Sequence, residues 1–270
     1  MDSQELKTAK APLQVPLTAE MQQSVSNFMN HVYRWMSVGI LITAVTALVT
    51  SYYMFDVIWY FKHQEDGYTQ FKWLLGGLFV LQLTLVIGLT AFINKLSQRA
   101  AILSYLFYAF VTGLTFSFIF YSYTQADISS AFFITVVAFA GLAIYGYVTK
   151  KDLKFIGTFC TMGLFGLVGV FIYAMFVPSF MTDSMQLYTG IVGVVVFSGL
   201  TAYDSQKIRN MGIALLQKQP PGTTTQDSAI KAIENSEPAD ISQKIAIVGA
   251  LLLYLDFINL FLSILRVMRK

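Results

Sequence analysis

Charged residues, cysteine and histidine are all scarce in this sequence. Of its 270 residues, 18 are Lys or Arg and 15 are Asp or Glu, so 12% are charged, about half the share typical of a soluble domain. With one cysteine, Cys160, and two histidines, His31 and His63, neither a disulfide framework nor a Cys/His metal site is expected. The net charge of +3 is small and dispersed, which argues against a nucleic-acid partner.

Apolar residues dominate what is left. Hydrophobic types make up 56% of the chain, and aromatic residues alone make up 15%. A water-soluble fold of this length would expose much of that surface to water. The composition therefore excludes a disordered chain, makes an ordinary cytosolic enzyme improbable, and indicates an integral membrane protein with the lipid bilayer as its surroundings.

Seven stretches are nearly free of charge, and each is long enough to cross a membrane. A helix of about 20 residues spans a hydrocarbon core of about 30 Å. The stretches are continuous rather than alternating, which favours helices over a barrel. The sequence predicts an all-α polytopic membrane protein, a seven-helix bundle with spans at about 35–55, 73–94, 101–122, 130–148, 155–177, 187–208 and 245–266.

The basic residues indicate an orientation. With a cytoplasmic N-terminus, only Lys62 and Lys72 fall in the outer loops between spans, as the positive-inside rule requires. Seven crossings would nevertheless place Arg266, Arg269 and Lys270 outside, so the side of the C-terminus stays open.

Two segments are predicted to lie outside the spans. Residues 1–34 form a cytoplasmic tail, in which Met21 to Arg34 could be an amphipathic helix in the membrane interface. The loop 217–240 contains Pro220-Pro221-Gly222 and three threonines, which is typical of a flexible cytoplasmic insertion.

Asp256 is the most informative residue, because it interrupts the last apolar stretch. It lies 12 residues after Lys244 and 10 before Arg266, about 18 Å and 15 Å along a helix. An ionised aspartate at that depth costs about 2.5–3.5 kcal/mol. We therefore expect it to be protonated, paired or hydrated. Asn259, three positions later on the same helical face, can hydrogen-bond the same partner or ion.

Asp204, in the segment Tyr203-Asp204 at the end of the sixth stretch, is a second candidate. One interpretation is a residue at the cytoplasmic mouth that Lys207 or Arg209 neutralises. The other pairs it with Asp256, since consecutive spans are commonly neighbours. The two aspartates meet only if the sixth helix continues through Ile208–Leu216, or if the bundle tilts.

A buried aspartate pair would respond to pH. Two carboxylates in one low-dielectric site cannot both ionise cheaply, so the pair tends to share a proton. Protonated, it hydrogen-bonds and holds the helices together. Ionised, it repels itself, opens or accepts a divalent cation. Oxygen ligands without histidine or thiolate suit Ca²⁺ better than zinc, so Asp204 and Asp256 are also the candidate metal ligands.

Five segments resemble the transmembrane Bax-inhibitor-motif family (Bax inhibitor/YccA-like), in its bacterial branch. The similarity runs from about residue 25 to the end. The segments are FSGLTAYDSQKI (197–208), ALLLYLDFINLFLSILRVM (250–268), VYRWMSVGIL (32–41), YAFVTGLTF (108–116) and YGYVTKKDL (145–153).

The resemblance implies a seven-helix bundle of the cytoplasmic (inner) membrane with the last helix near its centre. It implies a pH-sensitive Ca²⁺ leak channel rather than an enzyme, without a cofactor and with Ca²⁺ as the transported ion. The aspartate pair that senses protons in the family would be Asp204 and Asp256, with Tyr203 and Asn259 beside the ion pathway. A basic residue that latches the pair would be Lys95, Arg99 or Arg209. The long polar insertion departs from the compact family pattern.

Two other functions stay open. Some bacterial relatives modulate a membrane-bound AAA protease, so this chain could be an interaction protein that docks through its tail and the 217–240 loop. An intramembrane aspartyl protease also uses two aspartates, the first in a Tyr-Asp pair like Tyr203-Asp204. Against it, Leu253-Tyr254-Leu255 precedes Asp256, where that class has Gly-x-Gly, and the last span lacks a Pro-Ala-Leu segment.

Overall fold

The part of the chain that the structure describes contains seven long helices. The computed structural model describes residues 19–63, 67–93, 95–217 and 238–269. Single helical turns occur at Ile119–Ser122 and Pro178–Phe180. The predicted loop 217–240 and residues 1–18 of the predicted tail lie almost entirely outside the described residues. The long helices are α1 (Ala19–Lys62), α2 (Gly67–Phe92), α3 (Gln98–Phe116), α4 (Gln125–Val148), α5 (Lys154–Phe176), α6 (Asp183–Gln217) and α7 (Pro238–Val267).

Six of these helices, all except α2, are long and apolar enough to cross a membrane. In α2 the apolar part is shorter, Gly76–Phe92. Large apolar side chains such as Phe133, Phe155 and Phe165 point out of the bundle, where only lipid would make them favourable. The prediction of an all-α polytopic membrane protein is confirmed.

The last helix lies at the centre of the bundle, as predicted. Helix α7 packs against α1, α3, α4 and α6. Leu251, Leu253 and Leu260 along it are fully buried, whereas the outer helices bury only narrow stripes. A helix enclosed in this way can carry polar side chains that face protein rather than lipid.

The hydroxyl of Tyr254 holds α7 to two neighbouring helices. Thr43 Oγ1 on α1 donates a hydrogen bond of 2.9 Å to the carbonyl of Ala109 on α3. Tyr254 Oη lies 2.6 Å from the same Thr43 oxygen and is therefore the donor in that contact. The rings of Tyr105 and Tyr108 pack edge-on against Tyr254, with centroids 6.1 Å and 5.8 Å away.

We expect Tyr254→Phe to lower the free energy of unfolding by about 1 kcal/mol, because it removes this bond and leaves the ring in place. Reversible unfolding in mixed detergent micelles measures the change. Tyr188→Phe, at an exposed tyrosine of α6, is the matched control and should change stability by less than about 0.5 kcal/mol. Equal losses in the two variants would contradict the role given to the Thr43 bond.

Helix α1 is longer than its predicted span. The segment 21–34 is helical, but it continues without a break into the segment 35–55 rather than forming a separate helix. Its residues Val25, Met29 and Val32 are buried in the bundle, and Val32 lies against Gly249 of α7. One face of this segment therefore packs on protein. Its position relative to a membrane interface stays a prediction.

Helix α6 is also longer than its predicted span, 187–208. It continues to Gln217, with Ile208 fully buried and Gly212 against the ring of Phe28 on α1. Asp204 therefore lies well inside α6 instead of at its end. The two aspartates were expected to meet only if this helix continued past residue 208 or the bundle tilted, and the first condition is met.

Candidate functional site

The glycine contacts define the register between α6 and α7. Gly190 lies against Arg266, Gly193 against Ser263 and Gly249 against Ile208. Moving towards the end of α6 thus means moving towards the start of α7, so the two helices are antiparallel. This register places Asp256 level with Leu200 and Thr201. Asp204 lies about one helical turn, about 5 Å, farther along α6.

The structure brings the two predicted aspartates together in the interior. Asp204 is 8% exposed and Asp256 is 5% exposed. Each interacts electrostatically with the other, and Asp256 also interacts with Lys207. Acidic groups on adjoining helices that are buried in this way interact more strongly than they would at the surface, because the surroundings screen them poorly.

The two carboxyls differ in their contacts. Lys207 Nζ lies 4.0 Å from Asp204 Oδ1, one turn along the same helix. Asp256 Oδ2 is buried and has no hydrogen-bond partner. A buried carboxylate oxygen without a partner is costly. Asp256 is therefore the position at which a proton or a bound cation would be most stabilising.

Tyr203 and Asn259 lie near the two aspartates along α6 and α7, but the contacts of their side chains are with other groups. The Tyr203 ring covers Gly157 of α5, and Lys207 Nζ lies 5.8 Å from its centroid. Asn259 donates a hydrogen bond of 2.8 Å to the carbonyl of Leu255, which leaves its amide oxygen as the atom available to an ion.

The face of α7 towards α6 continues as a polar row beyond Asp256. Asn259, Ser263 and Arg266 follow at helical spacing. Ser263 Oγ donates to the carbonyl of Asn259 at 2.7 Å, opposite Gly193, where no side chain would fit. The sequence analysis does not select Ser263, although its position seven residues after Asp256, on the same helical face, indicates a continuing polar row.

The latch candidates lie elsewhere in this structure. Arg209 donates to the carbonyls of Tyr147 and Thr149 at the end of α4, the latter at 3.3 Å, as basic residues commonly do at helix C-termini. Lys95 lies over the ring of Phe92, and Arg99 is exposed. Within the described ranges no ion pair joins any of the three to the aspartates.

Lys207 is instead the cation that contacts the pair. The sequence interpretation treated it only as a neutraliser of a residue at the channel mouth. Its side chain is 36% exposed, against 12% for the side chain of Asp204. Lys207 therefore extends from the buried pair towards the surface, and the two interpretations of Asp204 are compatible.

Gln206 is a site residue that the sequence interpretation missed. It is buried, accepts a hydrogen bond of 3.0 Å from the Leu153 amide and donates one of 2.7 Å to the Lys151 carbonyl. These bonds fasten the α4–α5 connection to α6 two residues from Asp204. The sequence offers no clear signal for it, because Gln206 stands among other polar residues between Tyr203 and Asn210.

The pair supplies only part of a calcium coordination shell. Among the described residues, no group of three or more His, Cys, Asp or Glu side chains is placed to hold a metal ion. Ca²⁺ takes six to eight oxygen ligands, so the two carboxyls would need carbonyl or water oxygens beside them.

Known proteins resemble this chain over almost its whole length. The sequence model of the family described as "Inhibitor of apoptosis-promoting Bax1" matches residues 25–270. The inner membrane protein YbhL of Escherichia coli (strain K12) is 37% identical over 247 residues, covering 90% of this chain and 91% of that protein. Uncharacterized proteins of Borreliella burgdorferi and Deinococcus radiodurans are each 34% identical, covering 93% and 96% of this chain and 96% and 97% of their own lengths.

These similarities agree with the predicted location. YbhL is by its name an inner membrane protein, and the helices described here make this chain a multi-pass membrane protein. The predicted inner-membrane localisation is confirmed, whereas the cytoplasmic side of the N-terminus stays a prediction.

Proposed function

The chain belongs to the Bax inhibitor family of membrane proteins, and on that premise we propose that it is a pH-sensitive leak pathway for Ca²⁺ gated by Asp204 and Asp256. The observation that supports this most is the pair itself: two buried carboxyls on adjoining helices, one salt-bridged and the other with an unpartnered oxygen. The proposal involves no catalytic step and no cofactor.

The gate follows from the low dielectric around the pair. When the pair holds a proton, the negative charge of Asp204 is balanced by Lys207, and α6 and α7 can stay together. When that proton is lost, the extra charge at Asp256 has no counter-ion of its own. It is relieved by separation of the helices or by entry of a divalent cation. Ca²⁺ flux should therefore rise as pH rises.

Access to the pair is expected from two directions. On one side the side chain of Lys207 leads from Asp204 towards the surface. On the other side, the polar row of Asn259, Ser263 and Arg266 follows the α6–α7 contact. Gly190 and Gly193 let α6 pack closely against this row, so passage along it would require α6 and α7 to separate.

Flux measurements on purified protein test the proposal. In proteoliposomes loaded with a Ca²⁺ indicator, the wild-type flux should change by about tenfold between about pH 5 and pH 8, which corresponds to about 1.4 kcal/mol of coupling. Asp204→Asn and Asp256→Asn should each remove this pH dependence, because an amide cannot take up or release the proton.

Asp152→Asn is the matched control for the flux assay. Asp152 pairs with Lys154 at the surface, so its replacement makes the same chemical change outside the bundle and should leave the pH profile intact. A flux that keeps its pH dependence in both buried variants, or that loses it in the Asp152 variant as well, would refute gating by the pair.

The alternative, modulation of a membrane-bound protease, stays a prediction. Its expected docking segments, the tail and the loop 217–240, lie largely outside the described residues. Deleting residues 218–237 should abolish an effect on a protease partner while leaving Ca²⁺ flux unchanged, since Asp204, Lys207 and Asp256 all lie outside the deleted range.

A further inference from the structure

A groove of about 680 Å³ runs between α1 and α4 on the outside of the bundle. Its floor includes the buried residues Met36, Phe139 and Ala143, together with Phe257 of the central helix. One wall is a row of exposed residues spaced four apart on α4: Phe132, Val136, Ala140 and Ile144. The facing wall is formed by α1 residues Ser37, Leu41 and Ala44.

The groove is polar at one end and apolar along the rest. At the polar end it shares Asn30, Tyr33 and Ser37 with a neighbouring depression on α1 that Asn27 and Arg34 also line. Tyr147, the last tyrosine of α4, lies at the same end. Towards Ala44 and Phe132 the lining contains only apolar side chains.

Arg34 carries an unbalanced positive charge at the polar end. It is exposed, and its guanidinium lies 3.3 Å from His31 Nδ1. In the part of the chain that the structure describes, no carboxylate forms an ion pair with it. A cation at the edge of a membrane-spanning helix attracts anionic lipid headgroups.

The length of the groove fits one membrane leaflet. From Arg34 to Ala44 the helix rises about 15 Å, half of a hydrocarbon core of about 30 Å. A phospholipid whose phosphate lies at Arg34 would therefore end its acyl chain near the middle of the bilayer. The polar end of the groove matches the headgroup of such a lipid, and the apolar remainder matches its acyl chain.

We propose that this groove binds one anionic phospholipid, with its phosphate against Arg34 and Asn30 and one acyl chain between α1 and α4. The exposed hydroxyl of Ser37, about one turn past Arg34 towards Ala44, would otherwise face hydrocarbon, where polar groups lack partners. The glycerol and phosphate oxygens provide those partners. This inference does not depend on the proposed ion pathway.

The acyl chain would contact the residue next to the acidic pair. Phe257 follows Asp256 directly, and its ring packs edge-on against Phe132 and Phe139, with centroids 5.8 Å and 5.5 Å away. Occupancy of the groove would thus stabilise the packing of α4 on α7 beside Asp256.

Native mass spectrometry of the full-length protein with added lipids tests the site. Phosphatidylglycerol should bind about tenfold more tightly than phosphatidylcholine of the same acyl chains. Arg34→Gln should reduce this preference to within about twofold, whereas the matched control Lys154→Gln, at an exposed lysine, should leave it unchanged. Ala140→Trp, which fills the groove, should weaken the binding of both lipids.

Three outcomes would overturn the proposal. The first is a preference for phosphatidylglycerol that survives Arg34→Gln. The second is equal binding by soluble glycerol 3-phosphate, which would make this an anion site without an acyl chain. The third is a lipid-free dimer that Ala140→Trp converts to a monomer, which would make a second copy the occupant. If Ala140→Trp does not fold, the Arg34 comparison still decides.

Discussion

Adding one methyl group at Gly146 is expected to destabilise the bundle more than any other conservative change. A Cβ at this position would overlap the backbone carbonyl oxygen of Ala202 and lie 2.9 Å from its carbonyl carbon and 3.0 Å from Ser205 Cβ. A backbone carbonyl inside a helix cannot move aside, so Gly146→Ala must separate α4 from α6. We expect a loss of about 3 kcal/mol or more, at the upper end of overpacking effects.

The same helix provides a matched control. Gly141 on α4 has no atom within 4 Å of the position that its Cβ would take. Gly141→Ala should therefore be neutral or stabilising by up to about 1 kcal/mol, because alanine favours the helix. Detergent unfolding and size-exclusion chromatography of the two variants measure the difference. Similar stabilities would mean that α4 and α6 are not in close contact in the membrane.

This contact also supports the acidic pair. Ala202 and Ser205 lie on either side of Asp204 along α6, so the position of α4 limits how far this part of α6 can move. If Gly146→Ala still folds, we expect the pH dependence of Ca²⁺ flux to weaken, whereas Gly141→Ala should retain it. That comparison separates a local effect on the pair from a general loss of protein.

Replacing Asp256 with leucine is expected to stabilise the protein while removing its pH response. Leu253, Phe257 and Leu260, its neighbours along α7, are buried apolar residues, and Asp256 Oδ2 has no hydrogen-bond partner. A buried polar atom without a hydrogen-bond partner costs about 1–3 kcal/mol, and an apolar side chain of similar size avoids that cost. We expect a gain of about 2 kcal/mol in unfolding free energy for Asp256→Leu.

Opposite signs in stability and function would mark Asp256 as a functional residue, since such residues commonly cost stability. The unfolding assay and the proteoliposome flux assay give the two readouts on the same preparation. Asp152→Leu, at the surface, should change neither by much. A loss of stability in Asp256→Leu as large as that of a cavity-forming substitution in the core would show that the carboxyl stabilises the fold. The argument that the carboxyl is kept for gating would then no longer hold.

Much of the site was predictable because charge is expensive in lipid. An aspartate in the middle of an apolar stretch has few explanations, so Asp256 could be found from its spacing alone. Lys207 and Gln206 could not be identified as site residues from their spacing. Both stand among polar residues, where many side chains could be paired, and their partners are 3 residues away in one case and over 50 in the other.

The basic residue that contacts the aspartates could not be identified from the sequence. The candidates Lys95, Arg99 and Arg209 are all basic, and all three fall on the predicted inner side. Arg209 instead satisfies carbonyls at the end of α4, an interaction that depends on where that helix ends in space. Net charge and loop position carry no information about which of several cations reaches a given carboxyl.

The sequence alone determined that this is an all-α polytopic membrane protein and drew attention to Asp256, because apolar stretches of about 20 residues and the cost of buried charge leave few alternatives. Tertiary structure decided the rest: the extension of α1 and α6 beyond their apolar stretches, the close approach of α4 and α6 at Gly146, and the hydrogen bonds of Gln206 to the α4–α5 connection. These features arise from contacts between helices distant in sequence, and in a membrane such contacts depend on the fit of side chains, because burial from water no longer distinguishes one helix face from another.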